Sequence, residues 1–292
     1  MVEPVGFGAN PETAGDNAFQ EDVPAGEAAA VERKARVEFR AMADALRSRG
    51  IEVVTFAPAP NAPPPDSVFP NNWFSTHPGG RWALYPMMAS SRRGERSGGI
   101  VAWLASRYGE LADMSGEEAR GRYLEGTGSL VIDETARVVY ASRSSRTDEG
   151  LVREWAERFG YRPVVFDARD RDGRALYHTN VVLTLGTGYA VVCGEAIEPP
   201  GNRAEVLGEL EESGRVVVEI GFDQLHAFCG NGLELETPTG EKLLVMSGTA
   251  WRAFTPEQRA TLERFASVVS VELETIETHG GGSARCMMAE LY

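Results

Sequence analysis

Five short polar blocks hold most of the residues that could do chemistry. They are Asp66–Asn72 (DSVFPNN), Glu125–Gly128 (EGTG), His178–Asn180 (HTN), Cys229–Asn231 (CGN) and Gly280–Cys286 (GGGSARC). They begin at residues 66, 125, 178, 229 and 280, so the intervals are 59, 53, 51 and 51 residues. A near-constant period of this size indicates repeated supersecondary units, although glycine-rich loops of an ordinary α/β protein can reach such spacing by chance. If the units surround one axis, the blocks meet at one end.

A cysteine, a histidine and a glutamate in these blocks could form a nucleophilic set. Cys286 follows three glycines, which let backbone N–H groups approach a ligand closely, and a thiolate is a nucleophile in donor-rich surroundings. His178 could move a proton, and Glu125 could orient it. Each also has a structural interpretation, as a small buried apolar residue, a core histidine and a turn cap. Cys193 and Cys229 are predicted to be structural, because they stand among apolar residues.

Composition excludes several classes of function. The chain has 292 residues, with 29 Lys plus Arg and 43 Asp plus Glu, so its net charge is 29 − 43 = −14. This argues against binding to nucleic acid and against docking on an anionic membrane. An odd count of three cysteines, with neither a leader pattern nor a spanning apolar run, predicts a cytoplasmic protein. Four histidines without ligand spacing and the absence of CxxC predict no metal, and GTGYAVVCG lacks the third glycine of a dinucleotide site.

The elements between the blocks alternate in type and predict an α/β fold. Apolar residues at helical spacing predict five helices, each followed by a β-rich strand. The predicted helices lie at Glu27–Arg49, near Arg93–Tyr108, after the cap Thr147, after the cap Asn202 and after the cap Thr255. The strands after four of them read IEVVTF, RPVVF, RVVVEI and SVVSVEL. The proline cluster Ala57–Pro65 is predicted to be a loop.

These motifs, taken in order, resemble the pentein superfamily of guanidine- and ureido-modifying enzymes, which includes amidinotransferases, arginine deiminases and dimethylarginine dimethylaminohydrolases. The segments PVGFGANPETAGDNAFQ, DSVFPNNWFSTH and GGGSARCMMAE look most like its citrulline-utilisation hydrolase branch. The resemblance runs through nearly the whole chain. It implies one pentein domain over residues 1–292, built as a five-fold pseudo-symmetric α/β propeller of ββαβ units.

The resemblance also implies roles for particular residues. Cys286 matches the family nucleophile, His178 the general acid and base, and Glu125 the glutamate that holds this histidine. Asp66 matches an acid that binds the amino-acid end of the substrate or its polar network. Arg93 and Arg146 fall where relatives hold the substrate carboxylate, with Arg92 a near-equal candidate for the first position. Surface charge is the structural alternative for these arginines.

Three amides replace acids of the family pattern. Asn72 and Asn180 stand where arginine deiminases carry aspartate, and Asn71 stands where a dimethylarginine hydrolase has glutamate. Because an amide both donates and accepts hydrogen bonds, these positions suit a neutral ureido group better than a cationic guanidinium. The −14 charge is therefore expected to be spread over the surface rather than gathered around the substrate.

The resulting prediction is a thiol-dependent hydrolase of a guanidino or ureido C–N bond in an arginine- or citrulline-like small molecule. Alternatives are an arginine deiminase or dihydrolase, an amidinotransferase, and a non-catalytic pentein that binds a partner. No cofactor, nucleic acid or membrane is expected, and the sequence leaves a homo-oligomer open.

Overall fold

The computed structural model describes residues 1–58, 64–96 and 98–292, and its architecture is mixed α/β. Part of the predicted proline-rich loop, residues 59–63, lies outside this description. The helices are α1 (Ala28–Ser48), α2 (Gly98–Ala105), α3 (Gly126–Ser129), α4 (Glu149–Phe159), α5 (Pro200–Glu212), α6 (Phe222–His226), α7 (Gly248–Ala253), α8 (Pro256–Leu262) and α9 (Glu274–Gly280). Short 3₁₀ helices occur at Pro70–Asn72, Ser90–Glu95, Ser115–Arg120, Thr179–Val181, Gly194–Ala196 and Ala284–Met287.

The strands of the described residues form four small sheets. They are β1 (Phe74–His77), β2 (Arg81–Leu84), β3 (Glu110–Asp113), β4 (Val131–Asp133), β5 (Val138–Arg143), β6 (Arg162–Ala168), β7 (Leu183–Leu185), β8 (Tyr189–Val192), β9 (Ile197–Glu198), β10 (Val216–Glu219), β11 (Leu233–Glu236), β12 (Lys242–Ser247) and β13 (Ser267–Val271). The sheet orders are β1-β2-β3, β4-β5-β6-β9, β10-β8-β7 and β11-β12-β13.

One ββαβ pattern recurs in every sheet. An antiparallel hairpin is followed by a helix, and a third strand then returns parallel to the second strand of the hairpin. The hairpins are β1–β2, β4–β5, β7–β8 and β11–β12, and the parallel pairs are β2–β3, β5–β6, β8–β10 and β12–β13. At the N-terminal end, Val2 and Phe56 form an isolated parallel bridge on either side of α1. The predicted alternation of helix and strand is therefore confirmed, except that IEVVTF contributes a single bridge instead of a strand.

Buried stripes and caps explain why the helices form where they do. Helix α1 buries the predicted stripe and α4 buries both aromatic residues on one face. Gly160 ends α4 with a φ of 77°, and Thr255 accepts from the Gln258 N–H at 3.2 Å to start α8. Two predicted caps are wrong: Asp148, one residue beyond Thr147, caps α4, and α5 begins at Pro200, which leaves Asn202 inside its first turn.

The five polar blocks meet one another in a closed series of contacts. Thr127 of the second block donates to the Asn71 carbonyl oxygen of the first at 3.4 Å. Contacts between Glu125 and His178, between Asn231 and Asn180, and between Asn231 and Cys286 join the second block to the fifth. The fifth block also contacts the first, because Phe69 packs on the glycine run 280–282. The blocks thus surround one point, as their spacing predicts.

Among the described helices, none has both the length and the apolar character needed to cross a bilayer.

Candidate active site

A small cavity, partly open to solvent, lies where the blocks meet. Its lining is polar and comes from residues far apart in sequence: Thr13, Asn17, Asp66, Phe69, Asn72, Arg92, Arg146, Tyr177, His178, Gly280, Gly281, Gly282 and Cys286. The cavity therefore brings together the predicted nucleophile and the predicted acid–base histidine.

Cys286 lies on the 3₁₀ helix that follows the glycine run, facing two side-chain amides. The Nδ2 atom of Asn231 is 3.4 Å from its Sγ, and Nδ2 of Asn180 is 3.7 Å away. Asn231 is held in this orientation, since its Oδ1 accepts the Arg285 N–H at 3.1 Å and its Nδ2 also donates to the Asn180 carbonyl at 2.9 Å. Two amide N–H donors therefore face the sulfur atom.

The other two cysteines lie in different surroundings. Cys193 and Cys229 are fully buried in the apolar core, and burial raises the pKa of each thiol to about 12. Such thiols stay protonated and unreactive near neutral pH.

His178 and Glu125 form a buried pair beside the cavity. Nε2 of His178 lies 2.9 Å from Oε2 of Glu125, while the Met88 N–H donates to Oε1 at 3.1 Å. Burial disfavours the charged carboxylate, but Arg146, the hydrogen bond from His178 and Arg92 outweigh it and lower the pKa of Glu125 to about 2. Burial lowers the pKa of His178 despite the opposing carboxylate. A neutral imidazole held by an ionised carboxylate is the resting form of a general base.

Arg92, rather than Arg93, lies at the cavity. Its guanidinium makes two bonds to Glu95, at 2.7 and 3.0 Å, and a third to Asn72 Oδ1 at 2.8 Å. Arg93 instead donates to the backbone carbonyls of Met87 and Met88, and 31% of its side chain is exposed against 2% for Arg92. Successive residues of a 3₁₀ helix point about 120° apart, so only one of two adjacent arginines can face the site.

Arg146 lies at the cavity as predicted, bound by a loop that covers it. Its Nε donates to Asp16 Oδ2 at 3.0 Å and its Nη2 donates to the other oxygen of the same carboxylate. Its Nη1 lies 3.6 Å from Glu125 Oε2, and its guanidinium stacks on the ring of Tyr177 at 4.7 Å. We call residues 10–20, which carry Asp16, the rim loop.

The three amides that replace family acids lie in different places. Asn72 lines the cavity and Asn180 faces the thiol, but Asn71 is buried without lining the cavity, and neither atom of its amide has a partner. The orientation of Asn72 is fixed by chemistry, because a guanidinium only donates. Its Oδ1 must face Arg92, so its unpartnered Nδ2 is the atom left for a ligand.

The site is richer in acids than the sequence suggested. Asp66 receives a hydrogen bond from Asn10 at 2.8 Å, and burial raises its pKa although Arg92 lies nearby. Burial also raises the pKa of Glu95 to about 7. Together with Asp16 and Glu125, these make four carboxyl groups around two guanidinium groups. Glu95 and Asp16 are the two of these acids that the sequence did not indicate.

Four residues of the site escaped the sequence reasoning: Asn231, Glu95, Asp16 and Tyr177. Asn231 carried a usable signal, because it ends the fourth polar block as Asn180 ends the third. Glu95 and Asp16 carried none, since both act through side chains of segments without a periodic pattern. Among the residues that the structure describes, no group of three or more His, Cys, Asp or Glu side chains is arranged to hold a metal ion.

A family model and solved structures are similar to this chain. The family model described as N,N dimethylarginine dimethylhydrolase, eukaryotic, matches residues 3–292. No curated protein matches the sequence.

Among solved structures, ArgZ, an arginine dihydrolase of the ornithine–ammonia cycle in cyanobacteria, has a TM-score of 0.74 at 18% identity. The match covers 98% of this chain and 39% of ArgZ, so the chain spans well under half of that protein. The N-terminal domain of ArgZ, covalently bound to a reaction intermediate, has a TM-score of 0.73 at 17% identity and covers 99% and 95% of the two chains. A dimethylarginine dimethylaminohydrolase adduct with S-methyl-L-thiocitrulline has a TM-score of 0.67 at 19% identity and covers 99% and 97%.

Proposed function

Because the chain belongs to the N,N dimethylarginine dimethylhydrolase family, within the pentein superfamily, we propose that it hydrolyses a guanidino or ureido C–N bond of an arginine- or citrulline-like small molecule through a covalent thio-intermediate. The chain is a hydrolase of non-peptide C–N bonds. The observation that carries the finer proposal is that Cys286, His178 and two arginines line one cavity, with Glu125 bonded to the histidine.

In the first half of the reaction, the Cys286 thiolate attacks the planar carbon of the substrate. The amide N–H groups of Asn180 and Asn231 stabilise the thiolate beforehand. His178, which carries the proton taken from the Cys286 thiol as the thiolate forms, gives it to the nitrogen that leaves, so the C–N bond breaks as an amine departs and a planar thio-intermediate remains. Each positioned proton transfer contributes roughly 10²–10⁴-fold to the rate.

In the second half, water replaces the amine. His178, now neutral, takes a proton from the water as its oxygen bonds to the carbon, and the C–S bond then breaks to regenerate the thiolate. Glu125 holds the ring in place and stabilises the imidazolium formed in each half. The cyanobacterial relative with a covalently bound intermediate supports this sequence of events.

The orientation of Asn72 favours a ureido group over a guanidinium. Its free Nδ2 is a donor, and a ureido group offers a carbonyl oxygen to receive it. A guanidinium has donors only, so Nδ2 would face another N–H group and stay unpaired, which costs about 1–3 kcal/mol. A citrulline-like substrate therefore satisfies the site better than arginine.

Two other activities use the same groups. An arginine deiminase or dihydrolase is favoured by the carboxyl groups of Asp66 and Glu95, which would attract a cation. An amidinotransferase would pass the thio-intermediate to an amine instead of water. A non-catalytic binding module has no need of a thiol, a base and its orienting acid in one cavity.

The architecture proposed for this site is a five-fold pseudo-symmetric propeller of ββαβ units, forming one pentein domain over residues 1–292. The closed series of contacts between the five blocks supports it. The fifth unit would be the one built on α1 and the bridge between Val2 and Phe56.

The test is incubation with citrulline, arginine, methylated arginines and agmatine, with ammonia, amine and amino-acid products measured. We expect turnover of a citrulline-like compound and a loss of at least about 10³-fold in Cys286→Ser. Cys193→Ala, which changes a buried thiol of the core, is the matched control and should retain turnover. Wild-type turnover by Cys286→Ser, or failure on every compound, would contradict the proposal.

A further inference from the structure

We propose that Asp16 is an internal competitor for the substrate carboxylate: it occupies the edge of Arg146 that a carboxylate would bind, and a substrate must displace it there. This inference rests on the proposed function for the identity of the ligand. It makes Asp16 a residue that sets specificity without touching the reacting carbon.

The geometry of Arg146 leaves one edge for a carboxylate, and Asp16 fills it. A guanidinium binds a carboxylate best through two parallel N–H bonds along one edge. Nε and Nη2 of Arg146 make such a pair with the two oxygens of Asp16. The remaining nitrogen faces Glu125, and the ring of Tyr177 covers one face of the guanidinium. A substrate carboxylate can gain the same two bonds only where Asp16 now lies.

The exposed fractions of the two side chains show that Asp16 contacts Arg146 from the solvent side. The side chain of Arg146 is 3% exposed, whereas that of Asp16 is 23% exposed. The guanidinium therefore belongs to the wall of the cavity, and the carboxylate reaches it from the solvent side. Asp16 can leave into water, where its charge is solvated, without opening the core.

Ser145 Oγ also donates to Asp16 at 2.6 Å, and the other side-chain contacts of the rim loop do not involve a guanidinium group that a substrate carboxylate could bind. Asn10 donates to Asp66, Asn17 donates to the Gly280 carbonyl at 3.3 Å, and Glu12 accepts the Ser91 N–H at 3.0 Å. In the described part of the chain, the contact with Arg146 is the only ion pair of this loop. In this contact a carboxylate of the loop binds a buried guanidinium, as the carboxylate of an amino-acid substrate could.

An amino-acid ligand must exchange its carboxylate for that of Asp16 at Arg146, whereas an amine without a carboxylate need not displace Asp16. A substrate carboxylate replaces the Asp16 carboxylate bond for bond, so part of its binding free energy is spent on displacement. A ligand without a carboxylate leaves the pair of Asp16 and Arg146 intact and the buried guanidinium neutralised. Removing the charge of Asp16 should therefore strengthen binding only of ligands that carry a carboxylate.

The experiment compares L-ornithine with putrescine, which differ by the carboxylate, and citrulline-like substrates with their decarboxylated analogues. Binding is measured by calorimetry and turnover by KM in wild type, Asp16→Asn and Glu12→Gln. We expect Asp16→Asn to bind ornithine about tenfold more tightly than wild type does. Its KM for the amino-acid substrate should be lower by about tenfold. Putrescine binding and the KM of the decarboxylated analogue should change less than about twofold.

Glu12→Gln is the matched control, because it removes a carboxylate charge of the same loop without touching Arg146. It should change both members of each ligand pair equally. Equal effects of Asp16→Asn on both members, weaker ornithine binding, or no ornithine binding would overturn the proposal. The binding arm needs no turnover, so it separates failure of this inference from failure of the proposed hydrolysis.

Discussion

The floor and the rim of the cavity are built in different ways. The floor carries Cys286, His178 and Asn180 on or beside short 3₁₀ helices, all at least nine-tenths buried and fixed by neighbouring blocks. The rim loop has no helix or strand and is attached through side chains such as Asp16. The difference separates two tasks: the floor fixes the geometry of the reaction, and the rim decides which ligand reaches it.

Changing Glu125 should impair the floor strongly, because it removes the charge that orients His178. We expect Glu125→Gln to lower kcat by roughly 10²–10⁴-fold. Losing the carboxylate also lowers the pKa of His178 further, so the acid limb of kcat/KM should move to lower pH. Glu118→Gln is the control, because Glu118 accepts the Met87 N–H as Glu125 accepts the Met88 N–H. Unlike Glu125, Glu118 pairs with Arg96 outside the cavity. The kcat of Glu118→Gln should stay within a few-fold of wild type. A loss of kcat as large as that of Glu125→Gln would contradict the assignment of Glu125 to the reaction.

The same variant makes a prediction for stability. The pKa of Glu125 is lowered from its ordinary value of 4.5 to about 2. A carboxyl group with a depressed pKa in the folded state stabilises the protein above its unfolded pKa and loses this contribution as pH falls through the folded pKa. Chemical unfolding of wild type and Glu125→Gln should therefore converge between pH 4.5 and 2. A constant difference over that range would contradict the assignment.

Gly128 offers a smaller perturbation of the floor that removes no functional group. A Cβ at this position would lie 2.6 Å from Asn72 Nδ2 and 2.7 Å from His178 Nδ1. We expect Gly128→Ala to displace the ring and lower kcat by about 10²-fold. Gly208→Ala, in an open position on α5, is the control and should leave kcat unchanged. Full activity of Gly128→Ala would show that the floor is less constrained than its packing implies.

Substitutions in the rim loop should have the smallest effect on activity, and they should change KM rather than kcat. Gln20 braces the rim loop: its Nε2 donates to the Asn10 carbonyl at 2.9 Å, and its Oε1 accepts from Thr13 at 3.0 Å. Gln20→Ala should change KM by less than about tenfold and leave kcat within about twofold. Steady-state kinetics on one substrate suffices. A loss of kcat as large as that of the floor variants would remove the distinction between the two regions.

Sequence patterns predicted the framework well, because burial of periodic apolar residues determines it. The stripe of α1 and the interval of about 51–59 residues between blocks are properties of the sequence alone. The strand at IEVVTF was predicted from β-branched residues, yet only Phe56 pairs, because a strand needs a partner as well as a propensity.

The details of the site depend on directions that sequence does not encode. Arg92 and Arg93 are adjacent and identical in type, and only the turn of a 3₁₀ helix separates a cavity residue from an outer one. Asp16 acts across 130 residues through one ion pair. Asn231 could have been found, because the repeat places it opposite the sulfur, but its role depends on the Arg285 N–H that fixes its amide.

The closed series of contacts between the five blocks has a consequence for how such a protein could change. Four of the blocks go with sheets of the same ββαβ order, but the five blocks supply groups of different chemistry: an amide, an acid, a base, a second amide and a thiol. Replacing one block by a copy of another would delete one member of the chemistry. The order of the blocks along the chain is therefore as much a part of the site as the side chains themselves, and loops outside the blocks, such as the rim loop, are where specificity can change without loss of a reacting group.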